Sequence, residues 1–136
     1  ILSNVVINQN SNLNNYGGIV PEIAARDHLS NLDLALNRAL KESKLDIKEI
    51  DVIASTVTPG LVGCLRVGSI TARLLCTLYS KPFLGIHHLE GHLSSILFSK
   101  NYPKPPFLTL LVSGGHTELI KVGERREMQR SKRILA

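Results

Sequence analysis

No stretch of these 136 residues approaches the ~18 consecutive apolar residues that carry a chain across a membrane. The first residues also lack the order of a signal peptide, in which a charged stretch precedes an apolar one. Cysteine is scarce. Cys64 and Cys76 both sit in apolar sequence, where thiols read as buried and reduced, so a disulfide framework is excluded. These absences set the expectation of a cytoplasmic chain with no membrane partner. Net charge is also scarce over most of the length. The formal charge is +5, yet residues 121–136 hold six Lys/Arg against two Glu, and the other 120 residues hold ten against nine acids. A general nucleic-acid-binding surface is therefore not written into the body of the chain. The basic end, residues 123–136, reads as a tail able to meet RNA phosphates without sequence preference, or as a solvated charge run.

What is present fits one globular core, with 43% apolar residues. Leu2 to Asn8 reads as a strand, followed by a polar loop through Gly18. Pro21 suits the first turn of a helix. Apolar positions at helical spacing, Ile23, Ala24, Leu29, Leu32, Leu36, Ala39 and Leu40, carry that helix to about Ser43. Ile50–Val57 is rich in β-branched residues and reads as a buried strand, ended by Thr58-Pro59-Gly60. Gly63–Tyr79 reads as a helix with Ile70, Leu74 and Leu78 on one face. A short strand over Phe83–Ile86 precedes a helix over His88–Ser99, and Pro103 to Pro106 form a rigid connector. The apolar run Phe107–Val112 and the alternating Glu118–Val122 read as an antiparallel hairpin. Strands alternating with helices predict an α/β fold, its sheet mixed because of the closing hairpin.

Two stretches carry chemistry. His87-His88-Leu89-Glu90-Gly91-His92 places His88 and His92 four apart, which stacks both imidazoles on one helix face about 5–6 Å apart at Cβ. Such a pair can form half of a transition-metal site and needs a further ligand, usually a carboxylate; it also suits an ordinary polar or core helix. Glu90 reads equally as an orienter of a histidine or as a surface carboxylate, and His87 points away from His88. The second stretch is Ser113-Gly114-Gly115-His116-Thr117 at the end of a buried-type strand. Glycines there let backbone N–H groups approach a phosphate; Gly-Gly between strands also makes a plain hairpin turn. His116 suits contact with a nucleotide or capping of the turn. Arg26, Asp27 and His28 read as a helix face.

The wording of these stretches resembles the tRNA threonylcarbamoyladenosine transferase family. The resemblance rests on His87–Leu93 and Leu111–Thr117. It is supported by Tyr16-Gly17-Gly18-Ile19-Val20-Pro21-Glu22-Ile23-Ala24-Ala25-Arg26-Asp27-His28 and by Pro59-Gly60-Leu61-Val62-Gly63 with Val67-Gly68. It implies an actin-like ATPase (ribonuclease H-like) fold, of which residues 1–122 would be an incomplete N-terminal lobe and residues 123–136 a basic tail foreign to the family. It implies transfer of a threonylcarbamoyl group from threonylcarbamoyl-adenylate to N6 of the adenosine beside the anticodon of tRNA, with accessory proteins as partners. By motif, His88 and His92 would bind one divalent metal, iron or zinc, and Leu111, Val112, Ser113, Gly114 and Gly115 would line the substrate pocket. Departures accompany it. The family's first strand would precede Ile1, and its later glycines, an Asn and an Asp metal ligand have no counterpart here. Thr58 stands where Gly is usual, and Arg66 interrupts an apolar segment. The resemblance therefore implies a truncated, inactive form of the enzyme. Two other readings stand beside it: a noncatalytic lobe that pairs with another chain, and a metallo-endopeptidase. Zinc peptidases place Glu directly after the first His as general base, and here Leu89 holds that position.

Overall fold

The computed structural model describes residues 1–8, 18–112, 117–123 and 128–133, the last as backbone. The chain divides into two compact units, Ile1–His88 and Leu89–Ala136.

The first unit is built on a parallel crossover. Helix α1 spans Pro21–Ser43, with the proline at its start as anticipated. It ends in a left-handed residue, Lys44 (φ 59°), and the N–H of Leu45 reaches back to Leu40 O at 3.3 Å, satisfying an orphan carbonyl of the last turn. Strand β1 (Ile53–Thr58) leads into α2 (Val62–Tyr79), which returns the chain to β2 (Phe83–His87) alongside β1. The register runs from Ile53↔Phe83 to Thr58↔His87, with an irregularity between Thr56 and Thr58. The start of β2 is tied down from several sides. Pro82 O accepts from Ile53 N–H at 3.1 Å and from Cys76 Sγ at 3.5 Å. Lys81 Nζ donates to Lys48 O, and the Arg73 guanidinium lies 4.3 Å from the Phe83 ring centre.

Glycine brings α2 close to its neighbours. A Cβ on Gly63 would stand 3.0 Å from Ala25 Cβ of α1, and one on Gly68 would stand 3.2 Å from Ser55 Oγ of β1. The face of α2 turned to the sheet buries Ala72 and Cys76. The expected apolar stripe Ile70, Leu74, Leu78 instead faces outward, at 62, 55 and 65% exposed. Helical periodicity located the stripe correctly but could not tell which face meets the sheet. By length and composition α2 is also apolar enough to cross a membrane. That the sequence holds no such stretch was therefore too strong an expectation. The short returns at both ends of α2 make it the crossover between two paired parallel strands.

Residues 1–8 form no strand, against expectation. Burial still alternates, with Ser3, Val5 and Ile7 more covered than their neighbours. The period of two is present, but among the described residues no strand pairs with them, and a strand is defined by its ladder.

In the second unit, α3 begins at His88 in the first and runs to Ser94, then tightens into a 3-10 turn over Ser95–Phe98. A single α-helix to Ser99 was the expectation. Strands β3 (Phe107–Val112), β4 (Thr117–Val122) and β5 (Met128–Arg133) form an antiparallel sheet in that order. The hairpin register, Phe107↔Val122 to Val112↔Thr117, matches the sequence reading. Strand β5 lies inside the stretch read as a basic tail; its backbone pairs from Glu118↔Arg133 to Val122↔Met128. Parallel and antiparallel pairing thus fall in two separate sheets rather than one mixed sheet. The fold is α/β, as predicted.

Because α1 and α2 meet at Gly63, a Gly63→Val substitution should overpack that crossing and destabilise the first unit by about 1–3 kcal/mol. Urea unfolding followed by far-UV circular dichroism measures it; an unchanged midpoint would show that the helices have room to separate.

Candidate metal and substrate site

The position of the histidines follows from strand length. Strand β2 ends at His87, paired with Thr58, and α3 starts at the next residue with no intervening loop. His87 is therefore a strand residue, not a helix residue turned from His88. His88 and His92 lie on α3, one at its first residue and the other in its last turn, four apart as predicted. Leu89 and Leu93, buried at 4 and 8%, fill the apolar side of the same helix.

The donor chemistry suits a divalent ion of the iron–zinc class, which takes imidazole nitrogen. The set is partial. Among the described residues, no three His, Cys, Asp or Glu side chains come together to hold a metal. The two histidines can supply two ligands from one rigid element, and a completed site needs a donor from elsewhere. Glu90 does not supply it by helical position. It lines a groove with Leu93 and Ser94, spacings of three and four that define a different face of the helix.

Of the expected substrate-pocket residues, Leu111 and Val112 end β3, opposite Glu118 and Thr117. Leu111 is half-buried and Val112 exposed. Ser113, Gly114 and Gly115 lie outside the described residues, as does His116. The hairpin closes at Val112↔Thr117, so the strand ends deliver the chain into and out of the Gly-Gly stretch from adjacent positions. Glu118 is a site-adjacent residue that sequence reasoning passed over. It is the buried charged side chain among the described residues, on the strand that leaves the turn. The available signal was a carboxylate at the inward position of the alternating pattern that buries Ile120 and Val122. Arg26 and Arg66 are exposed, while His28 turns its Nδ1 to Ala24 O at 2.8 Å, within its own helix.

The model of the TsaD family, tRNA N6-adenosine threonylcarbamoyltransferase, matches residues 1–135. The chain belongs to this family. The match includes the basic end as well as the two motif stretches. A tRNA N6-adenosine threonylcarbamoyltransferase of Prochlorococcus marinus subsp. pastoris (strain CCMP1986) is 78% identical over 130 residues, and that of strain MIT 9515 is 77% identical. The protein of the same name from strain NATL1A is 60% identical. In each case 96% of this chain is covered but 36% of the relative. The chain thus spans about a third of the length of these relatives, which are named as transferases acting on tRNA adenosine.

With two imidazoles and no third donor among the described residues, the 136-residue chain should bind divalent metal weakly. After anaerobic loading with iron or zinc and gel filtration, elemental analysis should find far less than one equivalent per chain. Stoichiometric retention, lost on His92→Ala, would mean that the chain completes the site by itself.

Proposed function

We propose that this chain contributes to threonylcarbamoyl transfer from threonylcarbamoyl-adenylate to N6 of the adenosine next to the anticodon of tRNA. The observation that carries this reading is the family match over residues 1–135, with 78% identity to a relative named for that reaction. In this reading His88 and His92 hold one divalent metal, iron or zinc, from one face of α3. When bound, the metal supplies Lewis-acid polarisation of the donor's oxygens. The remaining roles belong to the polypeptide. Strand β2 runs directly into α3, which begins at His88 and carries both histidines. Leu111 and Val112, with Ser113, Gly114 and Gly115, take the donor, the absence of Cβ atoms at the glycines letting backbone N–H groups approach its phosphate. The setting is the cytoplasm, with tRNA and accessory proteins as partners. The outward apolar stripe Ile70, Leu74 and Leu78 supports association with another polypeptide surface.

The same stripe, and the outward row Leu108, Leu110 and Val112 on β3, favour a second reading in which the chain is a noncatalytic lobe that pairs with another chain. A metallo-endopeptidase is disfavoured. The position after His88 is Leu89, and Glu90 lines a groove with Leu93, away from the face that carries His88 and His92.

A chimera separates these readings. The 130 matched residues of the CCMP1986 relative are replaced by those of this chain. With donor adenylate and unmodified tRNA, the chimera should form the modified nucleoside, detected by mass spectrometry. A His88→Ala chimera should lose about 100-fold or more in kcat/KM, since each ~1.4 kcal/mol of lost stabilisation is tenfold. The 136-residue chain alone should not turn over. A folded but inert chimera would remove the transferase reading and leave the noncatalytic lobe; sustained turnover by the chain alone would show that a third of the relatives' length suffices.

A further inference from the structure

Glu90 stands in an unusual environment for a carboxylate. It lines a groove of about 300 Å³ within the second unit, whose other walls include Leu93, Leu97, Tyr102, Phe107 and Val122. Leu93 and Val122 are buried, while Leu97 and Tyr102 are exposed at its mouth. Glu90 itself is half-buried. Among the described residues its side chain makes no hydrogen bond or ion pair, whereas His88 and His92 on the same helix each have an interaction partner. The groove is thus hydrocarbon on most sides with one uncompensated negative charge.

Two physical demands follow. Exposed hydrocarbon of this kind favours being covered. Covering it with a purely apolar surface would strand a carboxylate away from water, which is costly unless a partner charge arrives with the cover. The occupant that meets both demands carries apolar side chains and a lysine or arginine aimed at Glu90, forming a charge-assisted hydrogen bond. A source is at hand, because nearly two thirds of the length of the relatives lies outside the region this chain matches.

We propose that the Glu90 groove seats an apolar segment bearing one lysine or arginine, supplied by the polypeptide that the longer relatives carry beyond the matched region. Glu90 is then the charge anchor of a docking surface, on a different face of α3 from the histidines. The inference rests on family membership and is independent of the metal and of the transfer reaction.

Association in trans tests it. The full 136-residue chain is titrated by calorimetry with the CCMP1986 relative from which the 130 matched residues have been removed. The two should associate. Glu90→Gln keeps shape and helix propensity and removes the charge. It should weaken binding about 5–10-fold at low salt, and the difference should shrink at about 0.5 M salt. Leu97→Ser should weaken binding at both salt concentrations, and Glu42→Gln, on the exposed side of α1, at neither. Circular dichroism of every variant establishes that it is folded. Three results would each overturn the proposal: Glu90→Gln binding as tightly as the unmodified chain, no association between the two folded polypeptides at about 100 μM, or a Glu90-dependent dimer of the chain alone in sedimentation, which would make a second copy the occupant. Since turnover is not the readout, failure here leaves the chimera experiment standing, and the reverse also holds.

Discussion

The pairing of β2 with β1 is the constraint on which the placement of His88 depends. Five residues of β2 hydrogen-bond in parallel to β1, and the ladder ends at His87, with α3 beginning one residue later. With no loop to absorb error, any slip in the strand register would rotate and translate the start of α3, and His88 with it. The approach is reinforced at the other end of β2, where Pro82 O takes two hydrogen bonds and Arg73 stacks on Phe83. These contacts are individually modest, but they act on one short strand from both α2 and β1.

Each unit exposes more hydrocarbon than its own folding needs. In the first, α1 has no fully buried residue, and Ile70, Leu74 and Leu78 of α2 face outward. An apolar concavity of about 440 Å³ lies among Leu2, Leu36, Leu40, Ile47, Ile53 and Leu75. In the second, the run Phe107–Val112 alternates between half-buried and exposed, so Leu108, Leu110 and Val112 form an uncovered row. A continuous apolar run is the pattern of a strand covered on both faces. These surfaces agree with the one-third coverage of the relatives.

The two halves of the candidate site differ in character. The two histidines lie on α3, on which Leu89 and Leu93 are buried. The substrate half hangs on the ends of β3 and β4, where Val112↔Thr117 is the last pair.

Local chemistry determined much of this protein. Helical periodicity and Pro21 marked α1, β-branched residues marked β1, and alternation marked the β3–β4 hairpin, because each of these elements is specified by short-range spacing. The four-residue interval between His88 and His92 likewise became a shared helix face by covalent geometry alone. What only the tertiary structure decided is where these elements stop and which way they face. The 3-10 turn after Ser94 and the outward turn of Ile70, Leu74 and Leu78 depend on packing that periodicity does not encode. Strand β5, in a sequence rich in arginine and lysine, exists through its ladder with β4 rather than through its own hydrophobicity. Residues 1–8 are the converse case: a strand-like pattern that pairs with no strand among the described residues. Glu90 and Glu118 read alike as carboxylates in a one-dimensional sequence. Three-dimensional packing turned one into a groove and buried the other in a sheet, because burial is set by neighbours far away along the chain.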